Sequence, residues 1–318
     1  MKLKYKHQRF QEDAARAVTD CFLGQPHYDG TSNFLVDQGV VNGKQDNNLF
    51  HVEGFANAPL EPDVPLRDNI RRVQTSFGLK PIDQLEGDGR TLTIEMETGT
   101  GKTFTYIKTM FELNKLYGWT KFIVVVPSIA IREGVLSSFD SMSEYFAQEY
   151  GKRIQYFVYN SKQLSKIDSF AADAGIHVMI INTQAFNTSL NEDKNKEGRA
   201  GDAAARIIFS RRDEFRSRRP IDILAATHPI MIIDEPQSVL GANKTNQTRK
   251  GLKLFNSLFK LLYSATHRKD DIANMVYRLD AMDAYNKHLV KKIEVVGVEQ
   301  KGTTATNGYV YPEQILIS

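Results

Sequence analysis

The stretch Glu95-Met96-Glu97-Thr98-Gly99-Thr100-Gly101-Lys102-Thr103 decides the fold of this chain. An apolar, β-branched run at 91–94 precedes it, and residues 104–111 after it carry apolar side chains at helical spacing. A strand, a glycine-rich loop and a helix in this order are typical of a phosphate-binding loop. The glycines let backbone N–H groups face an anion, and the helix N-terminus adds roughly half a positive charge behind them. The stretch therefore predicts an α/β domain that binds nucleotide phosphates.

The loop residues have separate expected contributions. Backbone N–H groups for the phosphates are expected from Thr98, Gly99, Thr100 and Gly101. Lys102 would reach the β- and γ-phosphates, and the Thr103 hydroxyl would ligate magnesium. The general pattern G-x-x-x-x-G-K-[ST] has glycine where this chain has Met96. The change is tolerable if Met96 packs behind the loop, and it favours a helicase-type loop over a kinase- or GTPase-type loop.

A second decisive motif lies far downstream, at Pro229-Ile230-Met231-Ile232-Ile233-Asp234-Glu235-Pro236-Gln237-Ser238. An apolar strand here delivers two consecutive carboxylates to its carboxyl end, where ligands bind in open parallel sheets. Asp234 can hold magnesium through its water shell, and Glu235 can orient and deprotonate the water that attacks the γ-phosphate. A strand followed by Asp-Glu is common by itself. Downstream of a phosphate-binding loop, it predicts a site that hydrolyses a nucleoside triphosphate.

Several further strands end in polar residues. Apolar runs at 121–126, 154–159, 177–182 and 261–263 are typical of strands buried on both faces of a parallel sheet. Ser128, after the first of them, is foremost a helix N-cap but can also touch a DNA phosphate, as can Thr183. Ser264 and Thr266 can hydrogen-bond the Asp-Glu segment and couple the nucleotide state to a neighbouring domain. We therefore expect a mostly parallel sheet flanked by helices.

A glutamine stands near the N-terminus, on a helix predicted at 10–18. One side of its amide donates and the other accepts, which matches the N6/N7 edge of adenine, and the adjacent Phe10 can cover the ring face. Gln11 is therefore a candidate adenine-binding residue. An ordinary amphipathic helix would explain the same residues about as well.

Composition limits the class of protein. The chain has 318 residues, 41% apolar and 25% charged, as in a soluble globular protein of one or two domains. Its single cysteine, Cys21, excludes a disulfide framework and a cysteine-based metal site. We expect a cytoplasmic protein, because no run approaches membrane-spanning length and residues 1–9 lack an apolar core. The net charge of +3 does not establish a nucleic-acid partner, and the arginine-rich segment at 206–219 would either face a phosphate backbone or be solvated.

The predicted domain organisation is uneven. Residues 24–65 are rich in Asn, Gly, Asp and Pro, and the turn signal Asn42-Gly43 predicts a short hairpin-bearing surface insertion. Residues 1–285 otherwise form one predicted ATP-binding domain. Residues 286–318 contain two predicted strands, the first at 289–296, which would begin the connection to a further domain.

Taken in order, these motifs resemble those of superfamily 2 helicases, and more narrowly the Res (restriction) subunit of type III restriction-modification enzymes. The narrower resemblance rests on Met96-Glu97-Thr98-Gly99-Thr100-Gly101-Lys102-Thr103, Val126-Pro127-Ser128-Ile129-Ala130-Ile131-Arg132-Glu133-Gly134-Val135, Ile233-Asp234-Glu235-Pro236-Gln237-Ser238 and Tyr263-Ser264-Ala265-Thr266-His267. Asp-Glu-Pro-Gln/His, in place of Asp-Glu-Ala-Asp/His, is the most discriminating of these. The resemblance extends over essentially the whole chain but only over the front part of the family's architecture.

The resemblance implies a first RecA-like P-loop NTPase domain that uses ATP and Mg²⁺, acts on double-stranded DNA and works with a modification (methyltransferase) subunit. The implied catalytic residues are Lys102, Asp234 and Glu235, the implied magnesium ligands are Thr103 and Asp234, and the implied coupling or DNA-contacting residues are Ser128, Thr183, Gln237, Ser264 and Thr266. It also implies a second RecA-like domain with an arginine finger and a nuclease domain.

No motif of those two further domains follows Thr266. We therefore expect weak ATP hydrolysis and no DNA cleavage from this chain alone, since an arginine finger contributes about 10³ to 10⁵ in rate. The alternative is a non-catalytic nucleotide-binding module, or half of a split motor that needs a second chain. A stand-alone kinase or GTPase is disfavoured, because nothing supplies an acceptor site or a guanine-reading motif.

Overall fold

The computed structural model describes residues 5–28, 33–35, 40–41, 44–45, 53–186, 207–215, 217–243 and 247–291. The strands are β1 (Asn33–Leu35), β2 (Val40–Val41), β3 (Lys44–Gln45), β4 (Glu53–Phe55), β5 (Thr91–Met96), β6 (Lys121–Val126), β7 (Ile154–Val158), β8 (Ile176–Asn182), β9 (Ile230–Asp234), β10 (Lys260–Ser264) and β11 (Met275–Leu279). The α-helices described are α1 (Arg9–Asp20), α2 (Leu66–Ser76), α3 (Lys102–Tyr117), α4 (Ile129–Tyr150), α5 (Ser165–Ala172), α6 (Pro220–Ala226), α7 (Pro236–Val239), α8 (Gln247–Leu254) and α9 (Ala281–Asn286).

A seven-stranded sheet forms the centre of the molecule, in the order β11-β5-β10-β9-β6-β8-β7. Every neighbouring pair in it is parallel, which confirms the predicted sheet. All residues of β6 and β8 are buried, because helices cover both faces. On β9, Ile230 and Ile232 join the core under α1 and α3, whereas Met231 and Ile233 join the core under α5 and α6. The carboxyl ends of β5, β9 and β10 consequently meet at one edge.

The helices that follow β5 and β6 begin where the sequence predicts. The Ser128 hydroxyl accepts a hydrogen bond from the Ile131 N–H at 3.3 Å, which confirms the predicted N-cap of α4. Helix α3 ends at Gly118, in the left-handed conformation. Glycine is required there, since the Tyr28 carbonyl oxygen lies 1.8 Å from the position of an added Cβ.

The predicted insertion is anchored far from the phosphate-binding loop. Strands β2 and β3 pair antiparallel on either side of Asn42-Gly43, and the turn itself lies outside the described residues. Near the start of the insertion, the Tyr28 N–H donates to the Tyr117 carbonyl oxygen at 3.3 Å. Towards its end, the buried Asn57 side chain donates to the Lys121 carbonyl oxygen at 2.8 Å and accepts from the Lys121 N–H at 3.0 Å. These anchors lie at the amino-terminal end of β6, opposite the loop after β5.

One cation of the arginine-rich segment departs from both expectations, whereas the Arg219 side chain is 44% exposed, as the solvated alternative predicts. The Arg218 side chain is buried, donates to Asp168 Oδ2 at 2.8 Å and stacks 4.2 Å above the Phe215 ring. This cation therefore packs inside the protein and faces neither solvent nor DNA. Arg206 and Arg216 lie outside the described residues.

The end of the chain also departs from the prediction. Leu289 and Val290 form a bend after α9 and pack against the core, and the rest of the two predicted strands lies outside the described residues. Edge strand β11 was not predicted, and it pairs directly with β5. None of the described helices combines the length and apolar character that a bilayer crossing requires.

Candidate nucleotide-binding site

The phosphate-binding loop connects β5 to α3 and uses glycine where the backbone requires it. Gly99 and Gly101 have φ angles of 81° and 85°, in the left-handed region that other residues enter only with strain. Met96 is fully buried in the core behind the loop, where the sequence placed it. A Cβ on Gly101 would lie 2.4 Å from Gln11 Nε2. Gln11 therefore packs directly against the loop.

Gln11 supports the loop through a buried hydrogen bond. Its Nε2 donates to the Thr100 carbonyl oxygen at 2.9 Å, so the donor side of the amide is already engaged. Phe10 is partly buried and packs against the hydrophobic core. The geometry makes Gln11 a support of the loop, and its contact with adenine stays a prediction.

Glu97 organises the loop from within, a contribution that the sequence analysis missed. The Thr98 N–H donates to Glu97 Oε1 at 2.7 Å, and the Thr100 hydroxyl donates to the Glu97 carbonyl oxygen at 2.6 Å. The Thr98 amide, predicted to face phosphate, is thus occupied by a carboxylate. An entering anion would have to displace that carboxylate before it could use this N–H group.

Lys102 and the Asp-Glu pair converge although the sequence separates them widely. Lys102 Nζ lies 3.1 Å from Glu235 Oε1, and both side chains are largely shielded, with 12% and 25% of their surface exposed. Lys102 is the first residue of α3, and Glu235 directly follows β9. The parallel sheet brings these two points together, because the carboxyl ends of its strands share one edge.

Asp234 is the buried member of the pair. Burial, followed by the negative charge of Glu235, raises the pKa of the Asp234 carboxyl to about 6, while Lys102 acts in the opposite direction. Its side chain lies on the α3 face of β9, the face of Ile230 and Ile232. At neutral pH the group is ionised but poorly solvated, which suits a carboxylate that attracts a cation.

Glu235 is held by polar neighbours in a strained backbone conformation. Its φ of 52° is left-handed, and its N–H donates to the Tyr263 carbonyl oxygen at 2.9 Å. Gln237 Nε2 donates to Glu235 Oε2 at 2.6 Å, and the Ser264 hydroxyl donates to the same oxygen at 2.7 Å. Burial acts to raise the pKa of Glu235, but these donors and Lys102 outweigh it and place the pKa below its ordinary value.

The predicted link between β10 and the Asp-Glu segment is present in the structure. The Ser264 hydroxyl lies 2.8 Å from the Thr266 carbonyl oxygen and accepts from the Thr266 N–H at 3.2 Å. A hydroxyl has one proton, and the Glu235 carboxylate is the strongest acceptor near it. The Thr266 side chain has no described bond to the pair, so Thr266 contributes through its backbone.

The other two polar residues lie on neighbouring loops. The Thr183 hydroxyl donates to the Pro127 carbonyl oxygen at 3.2 Å, which ties the loop after β8 to the loop after β6. Ser128, as the cap of α4, sits next to Pro127, and Ile129 beside it is half exposed. Both loops lie at the carboxyl edge of the sheet, and their contact with DNA stays a prediction.

The residues present fit a magnesium ion that is shared with phosphate. Within the described ranges, no cluster of three or more His, Cys, Asp or Glu side chains could hold a metal by itself. One buried carboxylate, Asp234, and one hydroxyl, Thr103, are the ligand set that Mg²⁺ uses when phosphates and water complete its shell. The residue types therefore fit such an ion, and its binding together with a nucleotide stays a prediction.

Two further residues border the site without having been predicted. His267 Nε2 lies 3.1 Å from the Ile94 carbonyl oxygen, which assigns the proton to Nε2, and the buried Nδ1 has no partner in the described part of the chain. Burial lowers the pKa of His267, so the ring is neutral at pH 7. Tyr106 is fully buried on α3. The sequence analysis assigned no chemistry to either residue.

The comparison with known proteins identifies relatives. The sequence matches the family described as "Type III restriction enzyme, res subunit" over residues 67–269. The Res subunits of EcoP15I (Escherichia coli) and EcoPI (Escherichia phage P1) are 33% identical over 244 residues and 32% identical over 238 residues. Both alignments cover 71% of this chain and 23% of the relative. The StyLTI Res subunit of Salmonella typhimurium is 27% identical over 273 residues, covering 76% and 26%.

Two solved structures are similar at low identity. A nuclease-deletion mutant of the type ISP restriction-modification enzyme LlaGI, in complex with a DNA substrate mimic, has a TM-score of 0.40 and 15% identity, covering 72% of this chain and 18% of that one. The Sulfolobus solfataricus SWI2/SNF2 ATPase core in complex with dsDNA has a TM-score of 0.34 and 13% identity, covering 67% and 33%. Neither likeness bears on the function of this chain.

The family match covers more than half of the chain and includes the phosphate-binding loop, the Asp-Glu pair and Ser264. The chain spans about a quarter of the length of the Res subunits that it matches. The match and the parallel sheet confirm the predicted RecA-like class of P-loop domains. The chain belongs to the Res subunit family of type III restriction enzymes.

Proposed function

We propose that this chain binds ATP with magnesium and hydrolyses it as the motor domain of a type III restriction enzyme. One observation carries the proposal: Lys102 and Glu235 lie 3.1 Å apart at the end of a glycine-rich loop, and the buried Asp234 stands beside them. A phosphate-binding lysine, a buried metal-binding carboxylate and an ionised base are the groups that phosphoryl transfer to water requires.

The ion pair between Lys102 and Glu235 suggests how nucleotide binding would prepare the site for hydrolysis. The Lys102 ammonium pairs with Glu235 in this structure, and a triphosphate would compete for the same ammonium. A phosphate-bound Lys102 would release Glu235 Oε1, while Ser264 and Gln237 continue to hold Oε2. The low pKa keeps this carboxylate ionised, so it can accept a proton from an attacking water. Magnesium, held by Thr103 and Asp234, would supply charge neutralisation on the phosphates.

The proposed setting is a larger DNA-dependent enzyme. Ser128 and Thr183 lie on adjacent loops at the carboxyl edge of the sheet, where hydroxyl and N–H groups can contact a phosphate backbone. Ser264, which donates a hydrogen bond to Glu235, would couple the nucleotide state of the site to a neighbouring domain. Because the chain belongs to the Res family, we propose that it works with double-stranded DNA, a modification subunit, a second RecA-like domain and a nuclease domain.

A second candidate function is a nucleotide-binding module without turnover of its own. It is favoured by the engagement of Glu235 with Lys102 at 3.1 Å, which occupies the assigned base, and a second domain of a motor commonly supplies a catalytic arginine. Such a chain would bind ATP and leave it intact. Addition of a second-domain polypeptide would then restore hydrolysis.

Two variants test the proposal. Fluorescent ATP binding and DNA-stimulated phosphate release are measured for the wild-type chain, Lys102→Ala and Glu235→Gln, with and without a second-domain polypeptide. We expect Lys102→Ala to lose binding, and Glu235→Gln to keep binding but lose about 10²- to 10⁴-fold in turnover, the usual contribution of a general base. Unchanged turnover in Glu235→Gln would contradict the assigned base. ATP binding without turnover by the wild-type chain alone, with turnover restored by the second-domain polypeptide, would favour the second candidate.

A further inference from the structure

Tyr106 presents a buried hydroxyl without a partner. The residue has no exposed surface, and its Oη makes no hydrogen bond with the part of the chain that the structure describes. A buried hydroxyl left unpaired costs about 1–3 kcal/mol, whereas phenylalanine would fill the same space at no such cost. Native proteins contain few such groups, and each calls for a physical reason.

The position of Tyr106 directs the hydroxyl towards the metal end of the site. On α3, Tyr106 follows Thr103 by three residues and Lys102 by four, so all three share one face of the helix. The Tyr106 ring packs edge-on against Tyr263, with 5.7 Å between centroids. Tyr263 is the direct neighbour of Asp234 across β10 and β9. The ring is therefore clamped between the phosphate-loop helix and the strand ends that carry the carboxylates.

Two residues of the proposed magnesium site, Asp234 and Thr103, lie close enough to this hydroxyl to affect its pKa. Burial raises the pKa of Tyr106 well above its ordinary value, and the Asp234 charge adds to the increase. Thr103 lies close enough to influence the hydroxyl, although the pair lacks the geometry of a hydrogen bond. Tyr106 is thus a neutral O–H donor next to the carboxylate and the hydroxyl that would hold the ion.

We propose that Tyr106 is a positioning residue of the magnesium site, whose O–H donates to the Asp234 carboxylate when a magnesium-bound nucleotide occupies the loop. The inference rests on the proposed function. The hydroxyl stays unpaired in the nucleotide-free protein and gains its partner only when Asp234 turns towards the cation. The nucleotide-free protein then carries the free-energy cost of the unpaired hydroxyl, and binding removes that cost. The nucleotide affinity therefore depends more strongly on Mg²⁺.

Tyr263 offers a matched control in the same pair of rings. Its hydroxyl is also buried, but it lies 3.1 Å from the Thr109 hydroxyl and so has a partner. Tyr263→Phe and Tyr106→Phe remove the same atom from adjacent buried rings. Only Tyr106→Phe removes it from the side of Asp234.

The test measures binding and stability, without turnover. The affinity for fluorescent ADP is determined from chelator-treated buffer to excess Mg²⁺, and melting temperatures are determined without nucleotide. For Tyr106→Phe we expect an unchanged or higher melting temperature and an unchanged affinity without Mg²⁺. The Mg²⁺ concentration that produces half of the increase in ADP affinity should rise about 3- to 10-fold, which corresponds to the loss of one hydrogen bond. Tyr263→Phe should lower the melting temperature and leave the Mg²⁺ dependence as in the wild type.

Two results would overturn the inference while the proposed function stands. One is a wild-type Mg²⁺ dependence in Tyr106→Phe, and the other is an equal loss of affinity with and without Mg²⁺, which indicates a purely structural role. A wild-type chain that binds no fluorescent ADP under any condition would overturn the proposed function, and this inference with it.

Discussion

Replacement of Gly101 by alanine should destabilise the phosphate-binding loop through two separable effects. The φ of 85° places an alanine in the left-handed region, which costs about 1–2 kcal/mol. The new Cβ would also lie 2.4 Å from Gln11 Nε2, so the amide must move and lose its hydrogen bond to Thr100. That bond contributes about 0.5–1.5 kcal/mol. Together the effects predict a loss of roughly 2–3 kcal/mol, or a melting temperature lower by about 4–12 °C.

A double-mutant cycle separates the two effects. Urea unfolding is measured for Gly101→Ala, Gln11→Ala and the double variant, with the wild type as reference. Gln11→Ala alone should lose the bond to Thr100, but in the Gly101→Ala background that bond is already broken. The double variant should therefore be more stable than the sum of the single losses predicts, by about 0.5–1.5 kcal/mol. Losses that add within error, or a Gly101→Ala variant as stable as the wild type, would refute the contact between Gln11 and the loop.

Two further predictions concern the carboxylates. Asp234→Asn should stabilise the nucleotide-free chain by roughly 1–3 kcal/mol at pH 7.5, because a carboxyl whose folded pKa is raised from 3.8 to about 6 loses stability as pH rises between those values. The gain should disappear in urea unfolding near pH 4, and an equal gain at both pH values would contradict this origin. Ser264→Ala removes a donor from Glu235, whose pKa should then rise towards its ordinary value. The acid limb of the pH–rate profile for ATP hydrolysis should shift upward equally, and an unshifted limb would argue against Glu235 as the base.

The sequence was most informative where local pattern and chemistry coincide. The loop at 95–103 and the strand that ends at Asp234 are short segments whose local sequence predicts their conformation. Parallel strands then bring their carboxyl ends to one edge, so the approach of Lys102 to Glu235 follows from topology. The Ser128 cap was predictable from local sequence, because serine precedes the helix. The bond from Ser264 to Glu235 was predictable from the adjacent strand ends.

The features that were missed depend on partners distant in the chain or on atomic detail. Arg218 can be buried because it pairs with Asp168, which lies 50 residues earlier in the chain. A count of charges within the segment does not reveal this pair. Edge strand β11 carries the exposed Arg278, so it lacks the continuous apolar run of the central strands. The engagement of the Thr98 amide by Glu97 depends on a side-chain rotamer. Such contacts follow from the packed structure and not from periodicity.

The two anchors of the insertion have a mechanical consequence. The chain departs at Tyr28 and returns at Asn57, and both residues are bound to the short segment from Tyr117 to Lys121. The two ends of this segment are therefore held close together, whatever number of residues lies between them. A change in the length of this segment should therefore act first on the amino-terminal end of β6, and we expect the phosphate-binding loop at the opposite edge of the sheet to keep its geometry.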